Sequence, residues 1–272
     1  MKGEGFVYKL VALDLDDTLL RSDLTISEKN EKAIASVKRM GVEVILASGR
    51  MHRSMVPYAR KLSLKGPMIS YNGAMIKDLR SNIPILHIPL PPELAVEIVK
   101  FAEEEGLHLN YYLDDKLYVA KETEWGKLYA YRSSMTMIPV GSLRIFDGMS
   151  PTKLVIVSDP SLIDEILPDM EARYKGKLYV TKSKPEYLEF MNPKASKGSA
   201  LRAIVEMMGI RKEEVIAFGD SYNDLGMIEY AGLGVAMKDS PVEVKNVAKL
   251  IAPSVEEDGV AEVLGEIFGI PL

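Results

Sequence analysis

The pattern of apolar and polar positions predicts alternating strands and helices near the start of the chain. Residues 11–13 (VAL) are apolar on both faces, which is typical of a buried strand. Residues 27–41 (SEKNEKAIASVKRMG) have a helical period that Ser27 can cap and Gly41 can end. The apolar stripe of this helix consists of Ala33, Ile34, Val37 and Met40. A second apolar run at 42–46 (VEVIL) completes a strand–helix–strand unit, which favours a parallel sheet.

The same alternation continues after this unit and returns near the C-terminus. Residues 67–76 (PMISYNGAMI) are predicted to form a third strand with a turn at Asn72 and Gly73, and a hairpin return through residues 83–90 (IPILHIPL). The later segments are predicted as helix, strand, helix and strand: SKGSALRAIVEMMG, VIAFGD, NDLGMIEYAG and LGVAM.

The middle of the chain has a different pattern, in which a helix followed by two short strands occurs twice. We therefore expect residues 85–189 to form an α+β domain inserted into a core made of residues 1–84 and 190–272. The predicted fold class is α/β, with a Rossmann-like parallel-sheet core and an inserted α+β cap.

Composition narrows the classes of function. The 272 residues are 47% hydrophobic, which is enough for a sizeable core. With 34 basic and 39 acidic residues, the net charge of -5 argues against a broad nucleic-acid surface but not against one phosphate pocket. The absence of cysteine excludes disulfides, thiolate chemistry and cysteine zinc sites. The N-terminal residues lack a signal-peptide pattern, and no apolar run is long enough to cross a bilayer. We expect a cytoplasmic protein that binds neither nucleic acid nor membranes, and nothing in the sequence indicates its oligomeric state.

Polar residues cluster where the predicted parallel strands end, and ligands collect at the carboxyl ends of such strands. The clusters contain Asp14, Asp16 and Thr18; Ser48 and Gly49; Lys197; and Asp220, Asn223 and Asp224. Together, carboxylates, hydroxyls, an amide and one lysine can bind a divalent cation and a phosphoryl group. Oxygen donors without a sulfur or histidine cluster suit Mg²⁺, and Asp14 could then attack phosphorus as a nucleophile.

These clusters also carry a family resemblance. In chain order, DLDDT (14–18), SGR (48–50), SKG around Lys197 and GDSYND (219–224) resemble the four motifs of the haloacid dehalogenase (HAD) superfamily of phosphatases. The inserted segment, SYNGA at 70–74 and EEDGVA at 256–261 resemble the Cof-type subgroup, which has a large α/β cap. The resemblance covers nearly the whole chain.

The resemblance implies Mg²⁺-dependent hydrolysis of a small phosphomonoester, such as a sugar phosphate or a phosphorylated cofactor, through an aspartyl-phosphate. It makes Asp14 the nucleophile, and Asp16 the acid that protonates the leaving oxygen and then the base that activates water. The implied metal ligands are Asp14, the backbone carbonyl of Asp16, Asp220 and, directly or through a water, Asp224. The implied phosphate-side residues are Ser48, Gly49, Lys197 and Asn223, with Thr18 orienting the first loop and Arg50 and Asn72 on the substrate side. Asp17 departs from the family pattern, in which glycine often follows the second aspartate.

Two other functions are compatible with these residues. A phosphomutase of the same superfamily would pass the phosphoryl group to a second substrate hydroxyl, and it would need a bisphosphate activator. A non-catalytic regulatory module would bind Mg²⁺ and phosphate without turnover. Taken singly, each cluster also has a structural explanation, such as a helix cap or a solvated lysine, and only the four together favour an active site.

Overall fold

The computed structural model describes residues 8–81, 83–133 and 135–271, which form two compact units. The first unit contains the residues up to Ile85 and those from Ser196 onward, and the second contains Leu86–Ala195. Among the described residues, no helix combines the length and the apolarity that crossing a bilayer requires.

The first unit is built around a parallel sheet. Its strands are β1 (Leu10–Leu13), β2 (Glu43–Leu46), β3 (Pro67–Ser70), β4 (Met75–Asp78), β12 (Val215–Gly219), β13 (Leu233–Met237) and β14 (Leu250–Ala252). Its helices are α1 (Glu28–Arg39), α2 (His52–Lys61), α6 (Lys197–Met208), α7 (Leu225–Tyr230), α8 (Val242–Val247) and α9 (Gly259–Phe268). Five strands form the sheet in the order β14–β13–β12–β1–β2, and all neighbours are parallel. The predicted α/β fold with a parallel-sheet core is confirmed.

The order of the strands identifies where a ligand site belongs. From β1 the chain adds β2 on one side, and later adds β12, β13 and β14 on the other. The order therefore reverses between β1 and β12, and open α/β sheets bind ligands at the carboxyl ends of strands beside such a reversal. All four residues of β1 are fully buried, and burial of each large aliphatic side chain contributes about 1.5–3 kcal/mol. The strand that carries the first motif is thus firmly held.

Two local predictions are corrected in this unit. Helix α1 starts as expected, since Ser27 Oγ accepts a hydrogen bond from the Asn30 amide at 3.1 Å, and Gly41 ends it as expected with a φ of 85°, but its last helical residue is Arg39. Met40 therefore leaves the apolar stripe and is 55% exposed. The strand that returns from the turn after β3 is β4, at Met75–Asp78, and not the predicted segment 83–90, because β4 pairs antiparallel with β3 immediately after the turn.

The second unit has an α+β pattern. Its strands are β5 (Leu86–His87), β6 (His108–Leu113), β7 (Lys116–Val119), β8 (Met137–Pro139), β9 (Lys153–Val157), β10 (Tyr179–Lys184) and β11 (Tyr187–Met191). Its helices are α3 (Pro92–Glu104), α4 (Glu124–Ser133) and α5 (Pro160–Arg173). Six strands form one sheet in the order β10–β11–β9–β6–β7–β8. The predicted repeat of a helix and two strands corresponds to α3–β6–β7 and α5–β10–β11, whereas sequence analysis assigned no element to α4.

One face of this sheet carries the apolar core of the unit. Alternate residues of β6, β9 and β11 share a hydrophobic cluster with residues of α3 and α5; the strand residues are Leu109, Tyr111, Leu113, Leu154, Ile156, Leu188 and Phe190. The structure groups residues 190–195 with this unit, whereas the sequence prediction assigned them to the core, because β11 continues to Met191. The predicted role of the insertion in substrate choice stays a prediction.

Candidate active site

The site is centred on the ends of two adjacent strands. Strands β1 and β12 pair with Leu13 opposite Phe218, and the amide of Asp14 donates to the carbonyl of Phe218 at 3.1 Å. This pairing brings Asp14, directly after β1, beside Asp220, directly after β12. Carboxylate oxygens of Asp14, Asp220 and Asp224 all lie within 4.8 Å of one another. Three acids that are distant in sequence therefore form one cluster.

Lys197 is the cation of this cluster. Its Nζ lies 2.5 Å from Asp14 Oδ1 and 2.6 Å from Asp224 Oδ1, and the residue is only 1% exposed. Lys197 is the first residue of α6, and the preceding Ser196 caps this helix by accepting a hydrogen bond from the Ser199 amide at 3.0 Å. The cap fixes the backbone from which the lysine reaches the carboxylates.

The acids that follow β12 are held by further hydrogen bonds. Asp224 Oδ2 accepts from the backbone amides of Asp220 and Ser221, each at 3.0 Å. Asp220 Oδ1 accepts from the hydroxyl of Thr18 at 2.9 Å. Thr18 is fully buried and its hydroxyl contacts an acid of the fourth motif. Its expected role on the phosphate side, where it orients the first loop, stays a prediction.

Negative charge exceeds positive charge in this cluster. Burial raises the pKa of Asp14 well above its usual range, and Lys197 opposes this shift while Asp224 and Asp220 add to it. Burial and the Asp224 carboxylate raise the pKa of Asp220 to about 6. Burial alone would lower the pKa of Lys197, but Asp14 and Asp224 outweigh it and the pKa is raised. The cluster therefore has one ammonium, which contacts Asp14 and Asp224, against three carboxylates.

This excess of carboxylates fits a divalent cation. The three acids offer oxygen donors only, which are the ligands that hard divalent cations prefer. Asp14 and Asp220 would hold such an ion directly, and Asp224 already gives one oxygen to Lys197 and the other to two amides. A bound cation would supply the positive charge that the cluster lacks.

Asp16 lies apart from this cluster and faces Arg50. The guanidinium donates from Nε to Asp16 Oδ2 at 2.8 Å and from Nη2 to Asp16 Oδ1 at 2.5 Å. The Asp16 side chain is 45% exposed, and Arg50 also lies over the ring of Tyr58, 5.7 Å from its centroid. The sequence did not predict this ion pair, because no spacing rule connects residues 34 positions apart on two loops.

Asp17 adopts a left-handed backbone conformation with a φ of 59°. This conformation explains why glycine often occupies the position in the family pattern, since glycine reaches positive φ without a steric penalty.

The remaining predicted residues meet on a second side of the site. The amide of Asn72 donates to the carbonyl of Ser48 at 3.1 Å, and Asn223 Nδ2 donates to Asn72 Oδ1 at 2.9 Å. Gly49 lies against the same side chain, since a Cβ built there would be 2.8 Å from Asn72 Oδ1. The fold therefore brings all four predicted motifs to one edge of the sheet, although their catalytic roles stay predictions.

Comparison with known proteins identifies the family of this chain. The sequence profile of the haloacid dehalogenase-like hydrolases matches residues 11–264. The chain belongs to this family. The HAD superfamily resemblance seen in the motifs is thereby confirmed.

Relatives and solved structures match this HAD chain over nearly its full length. A 5-amino-6-(5-phospho-D-ribitylamino)uracil phosphatase, YitU of Bacillus subtilis, is 32% identical over 96% of this chain and 98% of its own. A pyridoxal phosphate phosphatase, YbhA of Escherichia coli, is 27% identical over 94% of this chain and 97% of its own. The crystal structure of a haloacid dehalogenase-like hydrolase from Bacteroides thetaiotaomicron superposes with a TM-score of 0.90 and 32% identity, covering 96% of this chain and 100% of that one. The prediction that this chain is a phosphatase is confirmed at this level.

Proposed function

We propose that this HAD phosphatase hydrolyses a small phosphomonoester in the presence of Mg²⁺, through an aspartyl-phosphate on Asp14. The observation that carries the proposal is the cluster of buried Asp14, half-buried Asp220 and buried Asp224 around a single lysine at the sheet reversal. Mg²⁺ would be held by Asp14, the backbone carbonyl of Asp16 and Asp220, with Asp224 acting directly or through a water. When bound, it would neutralise charge on the nucleophile and on the phosphoryl oxygens.

In the first step, a carboxylate oxygen of Asp14 forms a bond to phosphorus and the bond from phosphorus to the leaving oxygen breaks. Lys197 neutralises charge on the transferring group, and Asp224 keeps the ammonium beside Asp14. Ser48 and Asn223 bind the phosphoryl oxygens, and Asp16 donates a proton to the departing oxygen.

In the second step, Asp16 takes a proton from water, and that water forms a bond to phosphorus of the aspartyl-phosphate. The acyl phosphate bond breaks, so that inorganic phosphate leaves and the Asp14 carboxylate is restored. In this structure the Asp16 carboxylate is paired with Arg50, so the guanidinium also bears on the group that exchanges these protons.

The proposed substrate class is supported by the relatives and by the net charge of -5, which argues against a broad nucleic-acid surface. YitU and YbhA are named for a phosphorylated ribityl compound and for a phosphorylated cofactor. We propose a substrate of similar size, either a sugar phosphate or a phosphorylated cofactor.

Since every residue assigned to the chemical step lies in the first unit, we also propose that the inserted unit governs the choice among substrates. Substitutions at its polar positions should then reorder alkyl phosphates by kcat/KM and leave aryl phosphates unchanged; an unchanged order would place selectivity in the first unit.

The Asp14→Asn variant tests the nucleophile. We expect kcat for p-nitrophenyl phosphate to fall at least about a thousandfold, because the remaining groups can only position and polarise the ester. Rapid acid quench with labelled substrate should trap hydroxylamine-sensitive phosphate on the wild type and none on the variant. The matched control is Asp23→Asn, an exposed acid of the same unit, which should keep wild-type activity.

Two results would contradict the proposal. Retention of more than a tenth of the activity by a folded Asp14→Asn variant would exclude the aspartyl-phosphate. Conversion of a monoester into its isomer without release of inorganic phosphate, and only when a bisphosphate is added, would indicate a phosphomutase.

A further inference from the structure

The turn that follows β3 connects three of the four motif loops. Tyr71, Asn72 and Gly73 have consecutive positive φ angles of 52°, 53° and 95°. Left-handed conformations of non-glycine residues cost of order 1–3 kcal/mol each and persist only where the surroundings fix them. Two such residues in a row therefore need contacts that hold the backbone in this conformation.

Backbone contacts fix this turn against its neighbours. The amides of Tyr71 and Asn72 donate to the carbonyls of Arg50 and Ser48, at 2.9 and 3.1 Å. Gly73 lies so close to the start of α6 that an added Cβ would be 2.1 Å from the carbonyl oxygen of Ser196. The turn is therefore anchored to the second motif and to the residue before Lys197.

From this anchored turn, the side chain of Asn72 reaches the fourth motif. Its Oδ1 accepts a hydrogen bond from Asn223 Nδ2 at 2.9 Å, although Asn223 itself is exposed. A carboxamide nitrogen carries two N–H donors, so one remains for another acceptor when the first is given to Asn72. If the Asn223 carboxamide rotated by half a turn, two carbonyl oxygens would face each other and repel. The Asn72 acceptor thus decides which atoms Asn223 presents.

We propose that Asn72 is a positioning residue of the phosphatase site, whose carboxamide oxygen orients Asn223 so that an N–H of Asn223 is available to the phosphoryl group. The proposal rests on the proposed function, in which Asn223 binds that group. It changes the role expected for Asn72 from substrate contact to the support of another residue. It also accounts for the need for glycine at position 49, because a Cβ there would be 2.8 Å from Asn72 Oδ1.

The test is a double-mutant cycle read by the affinity for inorganic phosphate. Isothermal titration calorimetry with Mg²⁺ present would give Kd for the wild type, Asn72→Gly, Asn223→Ala and the double variant. Asn72→Gly is compatible with the left-handed turn and removes the side chain that carries the acceptor. We expect its Kd to rise about five- to tenfold, the usual effect of one lost hydrogen bond, with no further rise when it is added to Asn223→Ala.

Two further variants separate orientation from backbone strain. Asn72→Ala loses the same oxygen but keeps a side chain at positive φ, so it should melt at a lower temperature than Asn72→Gly and show the same Kd for phosphate. Ser63→Gly is the matched control, because Ser63 is exposed and has a φ of 52° without a contact to the motif loops. Its Kd should equal that of the wild type.

The proposal is overturned if Asn72→Gly leaves Kd unchanged, if its effect adds in full to that of Asn223→Ala, or if Ser63→Gly weakens phosphate binding equally. The failure of the proposed function would look different. In that case the wild type would not hydrolyse p-nitrophenyl phosphate with Mg²⁺, whatever the cycle shows for phosphate binding.

Discussion

Each of the two units buries a lysine against carboxylates, but the two clusters differ in charge. Lys197 in the first unit contacts Asp14 and Asp224, and Asp220 lies beside them. Lys153 in the second unit contacts Glu189 at 2.7 Å, and the Lys153 residue is 5% exposed. One lysine therefore faces three carboxylates in the first cluster and one in the second.

The clusters also differ in their place in the fold. The acids of the first lie on loops that follow parallel strands and its lysine begins helix α6, whereas Lys153 and Glu189 lie on the neighbouring strands β9 and β11. Glu189 also accepts a hydrogen bond from Ser183 Oγ at 2.7 Å. Burial alone would lower the pKa of Lys153, but Glu189 together with Tyr129 outweighs it and the pKa is raised. The charges of the pair within the sheet cancel, so this pair needs no further ion. The carboxylates at the strand ends outnumber their lysine, so a further cation would be needed to cancel their charge.

The largest effect on stability should come from breaking the balanced pair. Glu189→Gln leaves the Lys153 ammonium buried without a counter-charge, and removal of one partner of a buried pair costs about 3–5 kcal/mol. Urea unfolding of the purified chain should show this loss in the transition midpoint. The double variant Lys153→Met, Glu189→Leu should recover most of it, since it buries no charge.

The matched change in the first cluster should behave differently. Asp14→Asn leaves Asp224 to pair with Lys197 and removes one of three mutually repelling carboxylates. Without metal, we expect this variant to be at least as stable as the wild type. If Asp14→Asn and Glu189→Gln destabilise the chain equally, the distinction between the two clusters is wrong.

The sequence predicted the unbalanced cluster but not the balanced one, and the reason is physical. Asp14, Asp220 and Lys197 each belong to a short motif beside a predicted strand end, and the parallel-sheet rule places such ends together. Lys153 and Glu189 meet only because β9 pairs with β11, and no local pattern fixes that register.

The positions of the strands along the chain were also easier to predict than the pairing between them. Apolar runs identified β1, β2, β12 and β13, whereas the return strand β4 was placed too late in the chain. Helix α4 was missed because its exposed and buried tyrosines resemble the residues of a half-buried strand; Tyr129 is buried and Tyr131 is 85% exposed. Side-chain contacts across loops, such as Arg50 with Asp16, required the fold itself.

A smaller effect should separate the clusters by their response to Mg²⁺. At a concentration one hundred times its Kd, a ligand that binds only the folded state stabilises it by about 2.7 kcal/mol. We expect Mg²⁺ to raise the melting temperature of the wild type by several degrees and that of Asp220→Asn much less. Glu189→Gln melts lower but should keep the full Mg²⁺ shift. An equal shift in Asp220→Asn would show that Mg²⁺ binds elsewhere.

The smallest effect concerns His52, a buried titratable group that forms no ion pair with a carboxylate within the described part of the chain. Its Nδ1 is buried without a hydrogen-bond partner among the described residues, and burial together with Lys77 lowers the pKa of His52 to about 4. In the unfolded chain the imidazole titrates near the ordinary value of 6.5, so as the pH falls the unfolded state takes up a proton first. Stability should therefore fall between about pH 6.5 and pH 4, by up to about 2 kcal/mol between pH 7 and pH 5, and this group should have no further influence below pH 4.

The His52→Gln variant removes this titration, so its free energy of unfolding should depend less on pH over that range than that of the wild type. Urea unfolding at pH 7 and at pH 5 measures the difference directly. Equal pH dependence in His52→Gln and the wild type would mean that the imidazole takes up its proton within the fold as it does in the unfolded chain. The first unit would then tolerate a buried charge without a counter-charge, even when no ligand is bound.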